Sequence, residues 1–527
     1  MTPFATLLSS PLKCVPSPPP SSLSFLMEFS ISFSLLLFSF CVLSLYIYAT
    51  RLRRCKCEIC SSFVSGEWRE KFLNLPDWYT HLLNKSLTKT IHIHVLNNTI
   101  TAHPDNVEHM LRTRFDNYPK GRPMAAILGD LLGRGIFIVD GDHWRFQRKL
   151  ASLELGSVSI RAYAHEVLAH EIRARLVPFL RINPTSSLLD LQEVFRRFSF
   201  NNICRFSFGV DPSGLGPEVG LMEAFDEASR LSAQRALHTC SLVWRAKRMF
   251  NFGSERRLGA AIRKVDMVAE NIISERRRKE EEGGGVNKSD LLSRFMGSVA
   301  DDKYLRDIVV SFLLAGRDTV ASGLTVFFYL LARNPEAEAR IIEESNRVLG
   351  QQAGLQVDQP GAEAACIIPN LEQMRDMQYL QAAVYESLRL FPPIQLDSKW
   401  AKDDDTLPDG TQVKKGTRVS YHPYAMGRME EMWGSDCLEF RPERWLDDDG
   451  HFRPENPYKY PVFQAGYRVC LGKEIALLAM KTVALALIRQ FEIRLADPEW
   501  TPRFTPGLTA TLHGGLPVVV RDRCLRR

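Results

Sequence analysis

The residues that carry chemistry most plainly in this chain are Phe463, Gly466, Arg468, Cys470 and Gly472, which spell F-x-x-G-x-R-x-C-x-G. A thiolate that ligates iron needs a loop holding the sulfur beside backbone N–H donors, which share its charge and tune its potential. Glycines let the backbone approach a flat ligand closely. A helix opening after Cys470 turns its positive end to the sulfur and favours the thiolate. Arg468 is suited to pair with a carboxylate of the same ligand. Taken alone, these residues also fit a buried structural cysteine between two glycines.

Three further groups stand upstream. In Ala315-Gly316-Arg317-Asp318-Thr319, Gly316 costs about 1 kcal/mol against Ala in a helix interior, so it needs a reason, and a ligand pressed against the helix is one. Asp318 and Thr319 put an acid beside a hydroxyl, suited to delivering protons to a bound oxygen species. A solvated Asp beside a Thr bonded back to its helix is the plainer alternative. Trp144 and Arg148 lie one helical turn apart and place an indole N–H and a guanidinium on one face, matching two carboxylates of one cofactor. Glu386 and Arg389, at i and i+3, gain value only if buried with a third partner, which Arg444 or Arg441 offers.

These groups need a mostly helical frame. Residues 160–333 follow a 3.6-residue apolar period. The longest pattern runs from Tyr304 to Arg333 and stops at Asn334-Pro335, and another covers Leu371 to Leu390 before Pro392-Pro393. Ser289 is the expected N-cap of the helix after the Gly-rich loop 280–288. Thr90 to Ala102 alternates around Asn97-Asn98 and reads as a hairpin, after which Pro104 opens a helix. Short strands fill 396–420 with a corner at Asp409-Gly410, and a final hairpin is expected to turn at Gly514-Gly515. The fold class is mainly α with a small β region.

Charge and composition narrow the class. Lys and Arg total 67 against 61 Asp and Glu, and 45% of the 527 residues are hydrophobic. That excludes a disordered tail or a collagen-like fibre and leaves no concentrated basic charge for nucleic acid. Eleven cysteines, odd in number and scattered, suit a reducing compartment.

Phe29 to Tyr48 is a 20-residue uncharged stretch followed by Arg51, Arg53, Arg54 and Lys56. It is long enough to cross a bilayer, and the flanking charge puts the following body in the cytosol. Twelve of the 26 residues before Met27 are Pro or Ser, which reads as a disordered extension, with Met27 as an alternative start. The expected organisation is an extension over 1–28, an anchor over 29–48, a basic juxtamembrane linker over 49–89 and a catalytic domain over 90–522. Cys55, Cys57 and Cys60 fit reduced thiols, a palmitoylation site or the start of a zinc site whose fourth ligand is not evident; His92 and His94 read as solvent-facing.

Together the four groups resemble the haem-thiolate monooxygenases, the cytochrome P-450 superfamily, over essentially the whole chain from Phe29. The resemblance implies haem b with Cys470 as its axial ligand. Trp144, Arg148 and Arg468 would then hold the propionates, while Phe463, Gly466 and Gly316 line the cofactor. Asp318 and Thr319 match the pair that assists O–O cleavage, and Glu386, Arg389 and Arg444 a structural triad. The strings NYPKG (117–121), LGDLLGRGIF (128–137), VSFLLAGRDTV (310–320) and FQAGYRVCLGKE (463–474) are similar to plant family ninety-four, subfamily C.

That likeness implies an endoplasmic-reticulum monooxygenase using O2 and electrons from NADPH through a reductase. Its expected reaction is hydroxylation of the omega carbon (C-12) of jasmonoyl-isoleucine and oxidation of the 12-hydroxy form towards the 12-carboxylate. Fatty-acid omega-hydroxylation is the alternative, and a haem-thiolate isomerase a remote one. Lys120, Arg122 and Arg134 are candidates to meet the substrate carboxylate. Trp244, Phe250 and Phe252, among basic residues, suggest a loop in the bilayer surface. Arg468, Lys473 and Lys459 would favour an acidic reductase face.

Overall fold

The computed structural model describes residues 32–47, 55, 57–182, 188–211, 220–237, 241–282, 290–353 and 366–523. The chain divides into two compact units, Met1–Lys56 and Cys57–Arg527. In the first, the described helix Ser32–Ile47 covers 16 residues of the expected anchor, and its remaining residues lie outside the described set. At 1.5 Å per residue that helix is about 24 Å long, shorter than a bilayer core. Among the described residues, the helix long and apolar enough to cross a membrane is Asp302–Arg333, and 67% of its apolar window is buried inside the protein. It is a core helix.

Six helices of the second unit matter for the site: α1 (Glu58–Ser65), α2 (Gly141–Leu155), α3 (Leu191–Phe208), α4 (Asp302–Arg333), α5 (Gln378–Leu390) and α6 (Lys473–Gln490). In α4 every residue from Val320 to Leu331 is buried, as an apolar run without a polar face demands. Phe327 and Phe328 of α4 pack with Phe195 of α3, Leu388 of α5 and Val483 of α6 in one core. The expected helix 371–390 is broken at Met377 (ψ 77°) into Leu371–Asp376 and α5. The first piece is fixed by a reciprocal cap between Asn370 and Gln373, 2.9 Å each way.

The main sheet has strands β1 (Thr90–Ile93), β2 (Asn98–Thr101), β3 (Asp397–Trp400) and β4 (Arg418–Tyr421), in the order β1-β2-β4-β3. β1 and β2 form the expected hairpin; its turn is 94–97, closed by Asn97 at φ 46°. β2 pairs parallel to β4, and β3 antiparallel to it with Asp397 opposite Tyr421. Gly514-Gly515 does not turn a hairpin. Thr511–Leu512 pairs with Phe504–Thr505, whereas Pro517–Asp522 joins a different sheet with Phe491–Leu495 and Leu189–Asp190. The expected cap Ser289 lies outside the described residues; the helix Leu291–Met296 is capped by Asp290, whose carboxylate accepts from Ser293 N at 2.9 Å.

Candidate functional site

α2, α4, the Cys470 loop and β3 surround one cavity of about 1410 Å³, larger than the few hundred to about 1,000 Å³ that suffice for a small ligand alone. Its wall includes Trp144, Arg148, Gly316, Thr319, Phe463, Arg468 and Cys470, so residues more than 300 positions apart in sequence meet at one place. Much of the remaining wall is apolar, including Ile127, Phe206, Phe295, Ile308 and Leu508.

Cys470 opens onto this cavity while the protein encloses its other sides. Its N–H donates to Phe463 O at 2.8 Å, which closes the loop before α6. Burial pushes the thiol up, against the Gly472 backbone, Arg148 and Lys473, which favour the thiolate. The sulfur therefore ionises readily only with a cation to receive it. Arg468 stacks over Trp144 at 4.7 Å and donates to Asp140 at 2.7 Å and Val139 O at 2.9 Å. Its Nε is buried without an acceptor. Among the described residues, no protein group accepts a hydrogen bond from the Trp144 indole or the Arg148 guanidinium.

Two cations join this wall, Lys399, which sequence reasoning passed over, and Lys120, which it placed at a substrate carboxylate instead. Lys120 Nζ donates to Asp397 Oδ1 at 2.5 Å, and Lys399 Nζ donates to Asp397 Oδ2 at 2.7 Å. Burial opposes charge on Asp397, but the two ammoniums outweigh it and hold the carboxyl well below its usual range. Burial drives Lys399 down, with Asp397 resisting. Among the described residues, the carboxylates that face Lys120, Lys399, Arg148 and Arg468 are those of Asp140 and Asp397, so an added dianion would balance the cluster. The available signal was Asp397 and Lys399 at i, i+2 on one strand face. These features, with the orphaned Arg468 Nε, fit a flat ligand carrying two carboxylates and a metal facing Cys470.

α4 is unwound by one residue at Leu314–Asp318, a π-turn where Thr319 Oγ1 donates to Ala315 O at 2.5 Å. Thr319 lines the cavity; Asp318 does not. Asp318 is half-buried behind it, 3.2 Å from Arg317 Nη1, which also pairs with Asp226 at 2.6 Å. Burial raises the Asp318 carboxyl, with Arg317 opposing. Gly316 lines the cavity too, yet its close neighbour is Ile203 of α3, not empty space. Gly466 is not in the wall: at φ 59° it presses on the Leu111 carbonyl, which leaves no room for a Cβ.

Glu386 is buried at the centre of the expected triad. It accepts from Arg389 Nε at 2.7 Å and Nη2 at 2.8 Å, from Arg444 Nε at 2.8 Å and from Trp445 Nε1 at 2.9 Å. Arg441 also contributes, through its backbone N–H at 3.0 Å.

Other expectations change. Lys120 is buried against Asp397, and Arg122 and Arg134 are exposed and outside the cavity wall, so none of the three is placed to meet a substrate carboxylate. Arg418 is another cation that lines the cavity, and its Nε donates to Ser398 Oγ at 2.9 Å. Trp244 is a core residue under Arg235, whereas Phe250 and Phe252 are exposed. Arg468 is buried with Asp140, and Lys459 pairs with Glu455 at 2.9 Å, which leaves Lys473 of the three basic residues near the thiol.

The comparisons with known proteins agree with this geometry. The family model described as Cytochrome P-450 matches residues 79–513. The chain is 56% identical over 506 residues to Cytochrome P-450 94C1 of Arabidopsis thaliana, covering 94% of this chain and 99% of that one. It is 41% identical over 435 residues to Cytochrome P-450 94A1 of Vicia sativa, covering 80% and 81%. Among solved structures, the cytochrome P-450DA haem domain superposes with a TM-score of 0.66 at 20% identity, over 81% of this chain and 88% of that one.

Proposed function

From the premise that the chain belongs to the cytochrome P-450 family, in plant family ninety-four, we propose that it hydroxylates the omega carbon (C-12) of jasmonoyl-isoleucine and oxidises the 12-hydroxy product towards the 12-carboxylate. Proteins of this family are monooxygenases that use haem iron, O2 and electrons from a reductase partner. When bound, haem supplies the activation of O2 that lets one oxygen atom enter an unactivated C–H bond.

The chain's own residues then take these roles. Cys470 would hold the haem iron through its sulfur, and the turn that ties its N–H to Phe463 O fixes the sulfur's direction. Trp144, Arg148 and Arg468, with Lys399, would hold the two propionates. Thr319 presents its hydroxyl to the cavity, held by Ala315 O, while Asp318 behind it keeps a raised proton affinity and resupplies protons towards Thr319. The apolar wall excludes water and keeps the substrate's terminal carbon near Cys470.

The substrate reading rests on a single observation: an apolar cavity of this size with Arg418 enclosed in its wall. A lipophilic acid satisfies both features, its chain against the wall and its carboxylate at the guanidinium. Family resemblance orders the candidates, with jasmonoyl-isoleucine before free fatty acids. The apolar stretch 29–48 anchors the protein in the endoplasmic reticulum membrane with its catalytic domain in the cytosol, where Lys473 offers basic charge to an NADPH-dependent reductase.

The reduced protein with carbon monoxide tests the ligand. The band for which the family is named is expected in the wild type and lost in Cys470→Ala. Turnover with NADPH and reductase, on jasmonoyl-isoleucine, its 12-hydroxy form and lauric acid side by side, tests the substrate. Preferred conversion of the first two is expected; faster turnover of lauric acid would replace the hormone reading with fatty-acid omega-hydroxylation, and rearrangement without NADPH would make the protein an isomerase.

A further inference from the structure

A second constellation lies away from the haem cavity and uses none of its residues. Cys57 immediately precedes α1 and Cys60 lies in its first turn. His94 stands in the turn between β1 and β2. The Cys57 and Cys60 sulfurs each lie 3.9 Å from the same atom, His94 Nδ1, and the three ligand atoms fall within 4.8 Å of one another. One imidazole nitrogen offers one lone pair or one proton, so it cannot make a full hydrogen bond to both thiols at once. A cation between the three groups can take a lone pair from each of them.

We propose that Cys57, Cys60 and His94 bind zinc together and so fasten α1 to the β1–β2 hairpin. Zinc bonds of about 2.3 Å to sulfur and about 2.0 Å to nitrogen in a tetrahedron give S···N edges of about 3.5 Å, a few tenths from what is seen here. The sequence shows C-x-C-x-x-C without a fourth ligand. Folding supplies the histidine from 34 residues beyond Cys60.

His94 differs from its neighbour in a way that suits ligation. His92 Nδ1 is already engaged with Thr99 Oγ1 at 2.9 Å, and its ring stands edge-on to His94 at 4.7 Å. His94 turns Nδ1 inward to the thiols, while its ring remains exposed on the other side. Ligation through Nδ1 leaves the proton on Nε2, where water accepts it. A soft sulfur-rich set in tetrahedral geometry selects zinc over Mg2+ or Ca2+. Such a site adds folding energy at the junction of α1 and the hairpin.

The test uses the full-length, detergent-solubilised holoprotein. Elemental analysis is expected to find about one zinc per haem, with an X-ray absorption shell of mixed S and N ligands at about 2.3 and 2.0 Å. Because Cys60 is buried and its loss endangers folding, His94→Ala and Cys57→Ser carry the comparison. Each should retain at least tenfold less zinc under EDTA competition while keeping the carbon monoxide band. Wild-type protein with negligible zinc, zinc retention unchanged in His94→Ala, a zinc shell without sulfur, a Cys57–Cys60 disulfide or thioester-linked acyl chains on these cysteines would each overturn the site.

Discussion

A methyl group on Gly316 would lie 2.8 Å from Ile203 Cγ1 and closer still to its Cδ1. The glycine in the π-turn of α4 is thus needed where α3 crosses it, because α3 presents Ile203 at the cavity edge. Gly316→Ala gains about 1 kcal/mol of helix propensity and loses about 1–3 kcal/mol to overpacking. The expected balance is a less stable protein with an altered cavity wall. Ile203→Val removes the nearest methyl, so in that background the cost of Gly316→Ala should shrink by at least half. A denaturant double-mutant cycle measures this; an unchanged cost would show that something other than Ile203 demands the glycine.

Lys399 and Lys120 share Asp397, and this arrangement leaves positive charge for the ligand's carboxylates. Lys399→Met keeps the Lys120–Asp397 pair while removing one donor. A hydrogen bond to a charged group is worth about 1.5–3 kcal/mol, so haem affinity should fall roughly ten- to hundredfold. Transfer of haem to an apoglobin acceptor measures it. Asp397→Asn should act on folding instead, costing about 3–5 kcal/mol, because two buried ammoniums lose their counter-ion.

What sequence alone discloses follows a physical pattern. Cys470, Trp144, Arg148 and Thr319 stand out because their residue types carry the chemistry at loop or helical spacing, and all four reach one cavity. Lys399 does not stand out, because its meaning depends on Lys120, which is brought to the same carboxylate from 277 residues before Asp397. Gly316 and Gly466 signal close approach correctly, but not whether a ligand, Ile203 or the Leu111 carbonyl does the approaching. The helix 371–390 keeps its apolar period across Met377, so the break there is invisible to periodicity. Gly514-Gly515 marks a real turn whose flanks join separate sheets, a tertiary fact that no local turn residue encodes.

His422 is buried beside Tyr79 and Tyr424, and its Nδ1 accepts from Ala425 N at 3.1 Å. Burial lowers it from 6.5 to about 3. The unfolded chain therefore binds this proton below pH 6.5 while the folded chain refuses it. The stability is fully present above pH 6.5 and is lost as pH falls towards 3, by about 1.4 kcal/mol per pH unit from this residue. His422→Gln, which does not titrate, should unfold with a flatter pH dependence between 6.5 and 4. Urea midpoints at half-unit intervals compare the two slopes; parallel slopes would remove His422 from the acid response.

Arg418 lies over Trp400 at 5.7 Å and is enclosed where β4 meets the cavity. Burial lowers it, and Tyr79 and Asp397 are the groups that favour its charge. An anionic substrate end would favour that charge further and would be oriented by it. Arg418→Met keeps much of the side chain's volume and removes the cation. The Michaelis constant for a carboxylate substrate should rise at least tenfold, a loss of about 1.4 kcal/mol or more. The methyl ester of the same substrate, which lacks the charge, should be nearly unaffected. Equal losses for acid and ester would assign Arg418 to packing between β4 and Ser398, and the substrate carboxylate to another cation of the wall, with Arg503 the next to replace.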